Sequence, residues 1–123
     1  MNVVDTSAWL AFFSGGKNAG IFSTPIKQYE QLLVPTITIY EISKVILRES
    51  DENHLLQALA AVQKGIIVDL TPSIATAAAK VSLKYKIPMA DSIIYAIANL
   101  YSATVWTQDE DFKGLENIKY FPK

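Results

Sequence analysis

Four acidic residues lie where a chain of alternating strands and helices could bring carboxylates together. Asp5 directly follows a short apolar run, and Glu41 falls in the first turns of a helical pattern. Asp91 opens another helical pattern, and Asp109 comes just after the apolar run that follows it. Several carboxylates in one crevice cannot all stay ionised unless a cation neutralises them or some become protonated. The spacing therefore raises the hypothesis of a metal site.

The residue types available narrow the choice of metal. The chain has no cysteine and one histidine, His54, which excludes thiolate-ligated zinc, cysteine nucleophiles, disulfides and any single-chain site with two imidazoles. Oxygen ligands favour Mg²⁺ or Mn²⁺, which keep bound waters and bind substrate phosphates. Such an ion activates water and absorbs charge on a phosphoryl group. The direct hypothesis is metal-assisted hydrolysis of phosphodiesters.

The elements that must position these acids alternate between short β-like runs and longer helical patterns. We predict strands at residues 2–4, 33–35, 66–70 and 104–106, with a fifth at the sheet edge at 118–121. Helices are predicted at 6–14, 25–32, from about 38 past 46, at 51–64, at 72–85 and at 91–101. Thr24-Pro25 and Thr71-Pro72 are typical of an N-cap followed by a first helical position.

This alternation predicts an α/β fold in one domain over residues 1–123, a three-layer α/β/α sandwich with a mostly parallel central sheet of short strands. In such a sheet the carboxyl ends of the strands and the N-termini of the following helices share one edge, where ligands bind. Strand direction alone assigns Asp5, Glu41 and Asp109 to that edge. Asp91 is assigned less directly, because the chain must cross back before it.

Composition excludes several classes of protein. Half of the 123 residues are hydrophobic, and 11 Lys and Arg stand against 12 Asp and Glu, which argues against a surface that is a polycation throughout. The N-terminal stretch has no Lys or Arg before its apolar part, and no uncharged stretch is long enough to span a membrane. We therefore expect a cytoplasmic protein without a membrane segment.

Four short motifs, taken in order, carry a specific resemblance. They are Val3-Val4-Asp5-Thr6-Ser7, Ile39-Tyr40-Glu41-Ile42, the stretch ADSIIYAIA at 90–98, and Thr107-Gln108-Asp109-Glu110-Asp111-Phe112. With the chain length and element order, this set resembles a PIN domain over essentially the whole chain. Among PIN domains it is most similar to the VapC-type ribonuclease toxins of prokaryotic type II toxin–antitoxin pairs.

The resemblance implies an endoribonuclease that leaves 5′-phosphate and 3′-hydroxyl ends. Its Mg²⁺ or Mn²⁺ would be held by Asp5, Glu41, Asp91 and Asp109. Thr6, Ser7 and Thr107 match positions whose hydroxyls support the acidic site, and Asp111 could share or replace the role of Asp109. The resemblance further implies a homodimer and a small antitoxin whose tail blocks the site.

Each of these residues also has a plainer interpretation. Asp5 and Asp91 suit a helix N-cap or first turn, where acids are favoured. Glu41 shares a helix face with Lys44 and Arg48, opposite an apolar stripe of Ile39, Ile42 and Ile46. That face is either a solvated surface with weak ion pairs or a metal ligand flanked by cations that hold RNA. The same choice applies to Lys84 and Lys86, which lie near Lys80.

Removing the four predicted ligands from the 12 acids leaves 8 against 11 basic residues, so the rest of the chain carries +3. We expect modest, salt-sensitive RNA affinity from this remainder.

Two other functions compete with the nuclease. One is a non-catalytic PIN-like module that binds RNA or a partner without turnover. The other is a phosphotransfer or phosphatase domain with Asp5 as nucleophile. The sequence speaks against it, because no second aspartate stands two residues after Asp5.

We expect His54 to be exposed and to have no catalytic role. The aromatic residues on apolar stripes are predicted to pack in the core or a dimer interface: Trp9, Phe12, Tyr95, Tyr101 and Trp106.

Overall fold

The computed structural model describes residues 1–123 and contains one five-stranded parallel sheet. Its strands are β1 (Asn2–Val4), β2 (Leu32–Pro35), β3 (Ile66–Val68), β4 (Thr104–Thr107) and β5 (Ile118–Tyr120). They lie in the order β3-β2-β1-β4-β5, and every neighbouring pair is parallel. Because all strands run the same way, their carboxyl ends meet at one edge, with β1 at its centre.

Six helices, two in each connection, make the crossovers from β1 to β2, from β2 to β3 and from β3 to β4. They are α1 (Thr6–Ser14), α2 (Ala19–Lys27), α3 (Thr36–Glu49), α4 (Glu52–Val62), α5 (Pro72–Tyr85) and α6 (Met89–Leu100). A short 3₁₀ turn, Glu110–Phe112, follows β4. None of the six helices combines the length and the apolar character that a bilayer-spanning segment needs.

Alternate residues along the central strands face opposite sides of the sheet, as the two-residue period of a strand requires. On one side Val3 packs in a buried cluster with side chains of α5 and α6, such as Ile74 and Ile94. On the other side Val4 packs with side chains of α1 to α4, such as Trp9 and Ile42. The predicted three-layer α/β/α sandwich with a parallel sheet is confirmed, including the fifth strand at the edge.

The second helix differs from its prediction. Thr24-Pro25 does not open a helix; Pro25 lies inside α2, which begins at Ala19, and Leu32 starts a strand rather than extending a helix. Proline removes one intrahelical hydrogen bond, and α2 ends two residues later. Burial of Phe22 and Ile26 against the sheet explains the earlier start, because tertiary packing overrides a local capping signal.

The aromatic residues predicted to pack in the core or a dimer interface are buried or partly buried in this chain, except Tyr101, for which a place in a dimer interface stays a prediction. Trp9 and Tyr95 are buried in the two core clusters, and Phe12 and Trp106 are partly buried. Tyr101 is 46% exposed, because α6 ends at Leu100 and the chain turns there toward β4. His54 is exposed, as expected.

Candidate active site

Three carboxylates converge at the carboxyl edge of the sheet. Asp5 follows β1, Asp91 lies in the first turn of α6, and Asp109 follows β4. One carboxylate oxygen from each lies within 4.8 Å of the others. Strand direction accounts for two of these positions, since β1 and β4 are neighbours in the sheet. We call Asp5, Asp91 and Asp109 the acidic cluster.

Asp5 is 1% exposed and is held by a set of hydrogen-bond donors. Its Oδ1 accepts from the Ala8 backbone N–H at 3.0 Å and from the Ser7 hydroxyl at 2.8 Å, while Oδ2 accepts from the Thr107 hydroxyl at 2.8 Å. Asp5 is thus the N-cap of α1 and a member of the acidic cluster at once. Burial raises its pKa to about 6, against the lowering effect of these hydrogen bonds.

Asp91 has the more strongly raised pKa of the two. Burial, followed by the negative charges of Asp109 and Asp5, raises its pKa to about 8. No salt bridge in the chain involves the cluster, since the two that exist join Arg48 to Glu49 and His54 to Asp51, on exposed side chains. The cluster therefore lacks a neutralising cation from the protein.

Asp109 and Asp111 occupy different places, although both fit the last motif. Asp109 belongs to the acidic cluster, and its Oδ1 accepts from the backbone N–H of Asp111 at 2.9 Å. Asp111 is exposed and lies outside the cluster, but it is near enough to raise the pKa of Asp91. The structure thus places Asp109 in the acidic cluster and Asp111 beside Asp91, and the assignment of the metal ligand between the two stays a prediction.

Glu41 stands apart from the acidic cluster. It lies on α3, half-buried, and its Oε1 accepts from the Thr6 hydroxyl at 2.6 Å. This hydrogen bond links the first turn of α1 to α3, at the residue that directly follows Asp5. The structure thus brings three of the four predicted ligands together and holds the fourth through Thr6.

The four basic residues predicted to contact RNA are all exposed. Lys44 lies over the Tyr40 ring and Lys84 over the Tyr85 ring, with Nζ 6.0 and 5.2 Å from the ring centroids. Arg48 pairs with Glu49 at 3.2 Å rather than with Glu41. Lys86 ends α5 in a left-handed conformation, three residues before α6 begins, so it lies near the helix that carries Asp91.

The residues present fit a hard divalent cation. The acidic cluster supplies carboxylate oxygens within reach of one another, and these are the ligands that Mg²⁺ and Mn²⁺ prefer. Raised pKa values at Asp5 and Asp91 show that the metal-free cluster resists carrying its full negative charge. A bound divalent ion removes that cost, so the carboxylate oxygens and the raised pKa values both favour a divalent cation at this site.

The sequence did not predict a role for one buried polar residue beside the site, Asn18. Asn18 is 4% exposed and its side chain donates to Gln108, which lies between Thr107 and Asp109. The contact joins residues 90 positions apart. A lone asparagine after Gly15-Gly16 carries no period or motif, so only the fold reveals it.

Comparison with known proteins gives the family. The PIN domain family matches residues 3–117, so the chain belongs to the PIN domain family. No curated protein sequence matches it.

Solved structures show the same fold at low sequence identity. A chain of a toxin–antitoxin complex from Klebsiella pneumoniae is 20% identical, with 100% of both chains covered and a TM-score of 0.84. VapC20 of Mycobacterium tuberculosis, a sarcin–ricin loop cleaving toxin, is 15% identical, with 99% of this chain and 100% of VapC20 covered and a TM-score of 0.81. VapBC2 from Rickettsia felis, bound to a promoter DNA fragment, is 13% identical, with 98% of each chain covered and a TM-score of 0.75.

Proposed function

We propose that this PIN domain, spanning residues 1–123, is an endoribonuclease that depends on Mg²⁺ or Mn²⁺. The observation that carries the proposal is the convergence of Asp5, Asp91 and Asp109 within 4.8 Å at the carboxyl edge of the sheet, with no cationic side chain to neutralise them. Asp5, Asp91 and Asp109 would hold the metal, with Glu41 completing the site beside Thr6. A bound divalent ion lowers the pKa of a water and stabilises charge on a phosphoryl group.

The protein's own residues keep the ligands in place. The Ser7 and Thr107 hydroxyls and the Ala8 backbone N–H all donate to the Asp5 carboxylate and so restrain its orientation. Thr107 also accepts from the Asp109 backbone N–H at 2.9 Å, which restrains the start of the loop after β4. Hydrogen bonds of this kind to metal ligands change metal affinity strongly when removed.

RNA is the proposed substrate, and exposed cations on α3 and at the end of α5 would hold it. We assign phosphate contacts to Lys44, Arg48, Lys84 and Lys86, which lie on α3 and at the end of α5. Apart from the four predicted ligands, the chain has a charge of +3, and this supports modest binding that weakens with salt. The one histidine, His54, is exposed and pairs with Asp51, and we assign it no catalytic role.

The proposed biological setting is a toxin–antitoxin pair in the cytoplasm. The fold matches a chain of a Klebsiella pneumoniae toxin–antitoxin complex and the sarcin–ricin loop cleaving toxin VapC20 over their full lengths. These likenesses support a cognate antitoxin and, with the family resemblance, a homodimer. The RNA loop cut by VapC20 makes structured ribosomal RNA the first substrate to try.

The test is an RNA cleavage assay with a matched control. Wild-type protein is expected to cut structured RNA in Mg²⁺, to stop in EDTA and to recover when Mg²⁺ is restored. Asp5→Asn should abolish cleavage, while Asp69→Asn, the same change at an exposed position directly after β3, should not. Cleavage that survives both chelation and Asp5→Asn would refute the proposal. RNA binding without cleavage would favour the non-catalytic module instead.

A further inference from the structure

Asn18 is a buried hub that joins three separate parts of the chain. Its Nδ2 lies 3.2 Å from the Phe121 carbonyl oxygen, 3.1 Å from that of Pro122 and 3.1 Å from Oε1 of Gln108. The two N–H groups are shared among these three acceptors. The hub therefore connects the start of α2, the C-terminal segment and the loop that carries Asp109.

These contacts determine which way the Gln108 amide faces. A backbone carbonyl can only accept, so the Asn18 atom that faces Phe121 and Pro122 must be the nitrogen. The Gln108 atom that meets this nitrogen must then be its acceptor, Oε1. The Gln108 Nε2 lies on the other side of the amide and donates no hydrogen bond within the chain. Gln108 thus carries an oriented, unused donor.

Gln108 lies between the acidic cluster and a basic groove. Gln108 directly precedes Asp109, and its backbone N–H donates to the Ser7 hydroxyl, which in turn donates to Asp5. Ser7 and Gln108 also line a groove of about 1050 Å³ between α1, α3 and α4. The charged residues of this groove are Lys17, Arg48 and Lys123 against Glu49. An anionic strand would therefore meet the Gln108 donor as it enters the groove from the cluster.

We infer that Gln108 is a substrate-binding residue whose Nε2–H donates to a phosphate oxygen of the RNA strand in this groove, with Asn18 as its positioning residue. The inference rests on the proposed function, because it assumes that RNA is bound at the acidic cluster. Asn18 holds the amide in the donating orientation before substrate arrives, so no rotamer freedom is lost on binding. A hydrogen bond to a charged oxygen is stronger than one between neutral groups.

The test measures RNA binding and metal binding separately. Gln108→Met keeps the side-chain length and removes the amide; Gln31→Met makes the same change at an exposed position before β2, on the opposite edge of the sheet. Binding of a short fluorescein-labelled single-stranded RNA is measured in Ca²⁺, with the RNA checked for intactness on a gel. Gln108→Met should weaken RNA binding about tenfold. Mn²⁺ affinity and melting temperature should stay near wild type, and Gln31→Met should match wild type throughout.

A second variant tests the positioning role. Asn18→Ala frees the Gln108 amide to rotate, so it should also weaken RNA binding. The Asn18→Ala/Gln108→Met double variant should bind no more weakly than Gln108→Met alone, because both changes remove one interaction. Additive losses would show that Asn18 acts through the general fold and would overturn its role.

Three results separate this inference from the function on which it rests. Wild-type protein that neither binds nor cuts RNA defeats the proposed function itself. Wild-type cleavage together with unchanged RNA affinity in Gln108→Met overturns the inference alone. A parallel loss of Mn²⁺ affinity in Gln108→Met also overturns it, because the residue would then act through the metal ligands.

Discussion

The hydroxyl of Thr107 donates a hydrogen bond to Oδ2 of Asp5 at 2.8 Å. The same hydroxyl accepts from the Asp109 backbone N–H at 2.9 Å. A single buried side chain at the end of β4 therefore aligns two members of the acidic cluster. Since β1 and β4 are adjacent, this link lies at the centre of the sheet's carboxyl edge.

Removing the Thr107 hydroxyl should lower both the stability of the fold and its affinity for Mn²⁺. Thr107→Val keeps the shape and β-branching of the side chain but leaves the Asp109 N–H and one lone pair of Asp5 without a partner, at a cost of about 1–3 kcal/mol in the free energy of unfolding. Mn²⁺ affinity, measured by calorimetry, should fall at least about tenfold. Thr104→Val, on the same strand and without a side-chain hydrogen bond, is the control. Equal Mn²⁺ affinities in the two variants would contradict this role of Thr107.

Asp109 should contribute more to metal affinity than Asp111. Asp109 lies in the acidic cluster, whereas Asp111 is exposed and raises the pKa of Asp91 through a side-chain hydrogen bond and its negative charge. Asp109→Asn should therefore reduce Mn²⁺ affinity far more than Asp111→Asn, which should weaken it only a few-fold. Titration of each variant with Mn²⁺ checks the order. The reverse order would show that the loop after β4 rearranges when metal binds.

Glu41 should contribute less to metal affinity than the cluster does. It lies outside the 4.8 Å group and is tied to the Thr6 hydroxyl. Glu41→Gln should weaken Mn²⁺ binding by about tenfold or less, while Asp91→Asn should remove most of it. Glu49→Gln, on an exposed position of the same helix, serves as the control. An effect of Glu41→Gln as large as that of Asp91→Asn would place Glu41 among the principal ligands.

The metal-free protein should become less stable as the pH rises. Asp91 has a pKa of about 8 in the folded protein against an ordinary value of 3.8, so its ionisation costs more in the folded state. This penalty is absent at pH values below 3.8 and is complete above about 8. Asp5, with a pKa raised to about 6, acts in the same direction.

Thermal denaturation in EDTA checks the direction. The melting temperature should fall by several degrees between about pH 5 and pH 8, and Asp91→Asn should reduce the fall. Added Mg²⁺ should restore stability at the upper pH, because the bound cation removes the charge repulsion. A melting temperature that rises over this interval in EDTA would mean that the cluster is neutralised by the protein itself.

The placement of Asp5 and Asp109 was predictable because it depends on strand order and direction alone. Asp5 comes directly after β1 and Asp109 two residues after the end of β4, and parallel strands bring such positions to one edge. That Glu41 bonds to Thr6 and lies outside the 4.8 Å group was not predictable, because it depends on how α3 packs against α1.

Two other features depend on contacts that no local pattern encodes. The Asn18–Gln108 hydrogen bond joins distant segments and has no sequence signal of its own. The bounds of α2 follow the burial of Phe22 rather than the cap-like Thr24-Pro25 pair. In both cases the structure depends on tertiary packing, which the neighbouring residues in the sequence do not specify.

Analysis of the RNA ends by mass spectrometry, after cleavage in Mg²⁺ by wild type and by Asp91→Asn, tests the central claim most directly. Attack by a water activated at the acidic cluster predicts 5′-phosphate and 3′-hydroxyl ends from wild type and uncut RNA from Asp91→Asn. Ends with a 2′,3′-cyclic phosphate, or cutting by Asp91→Asn at the wild-type rate, would contradict metal-dependent hydrolysis at Asp5, Asp91 and Asp109.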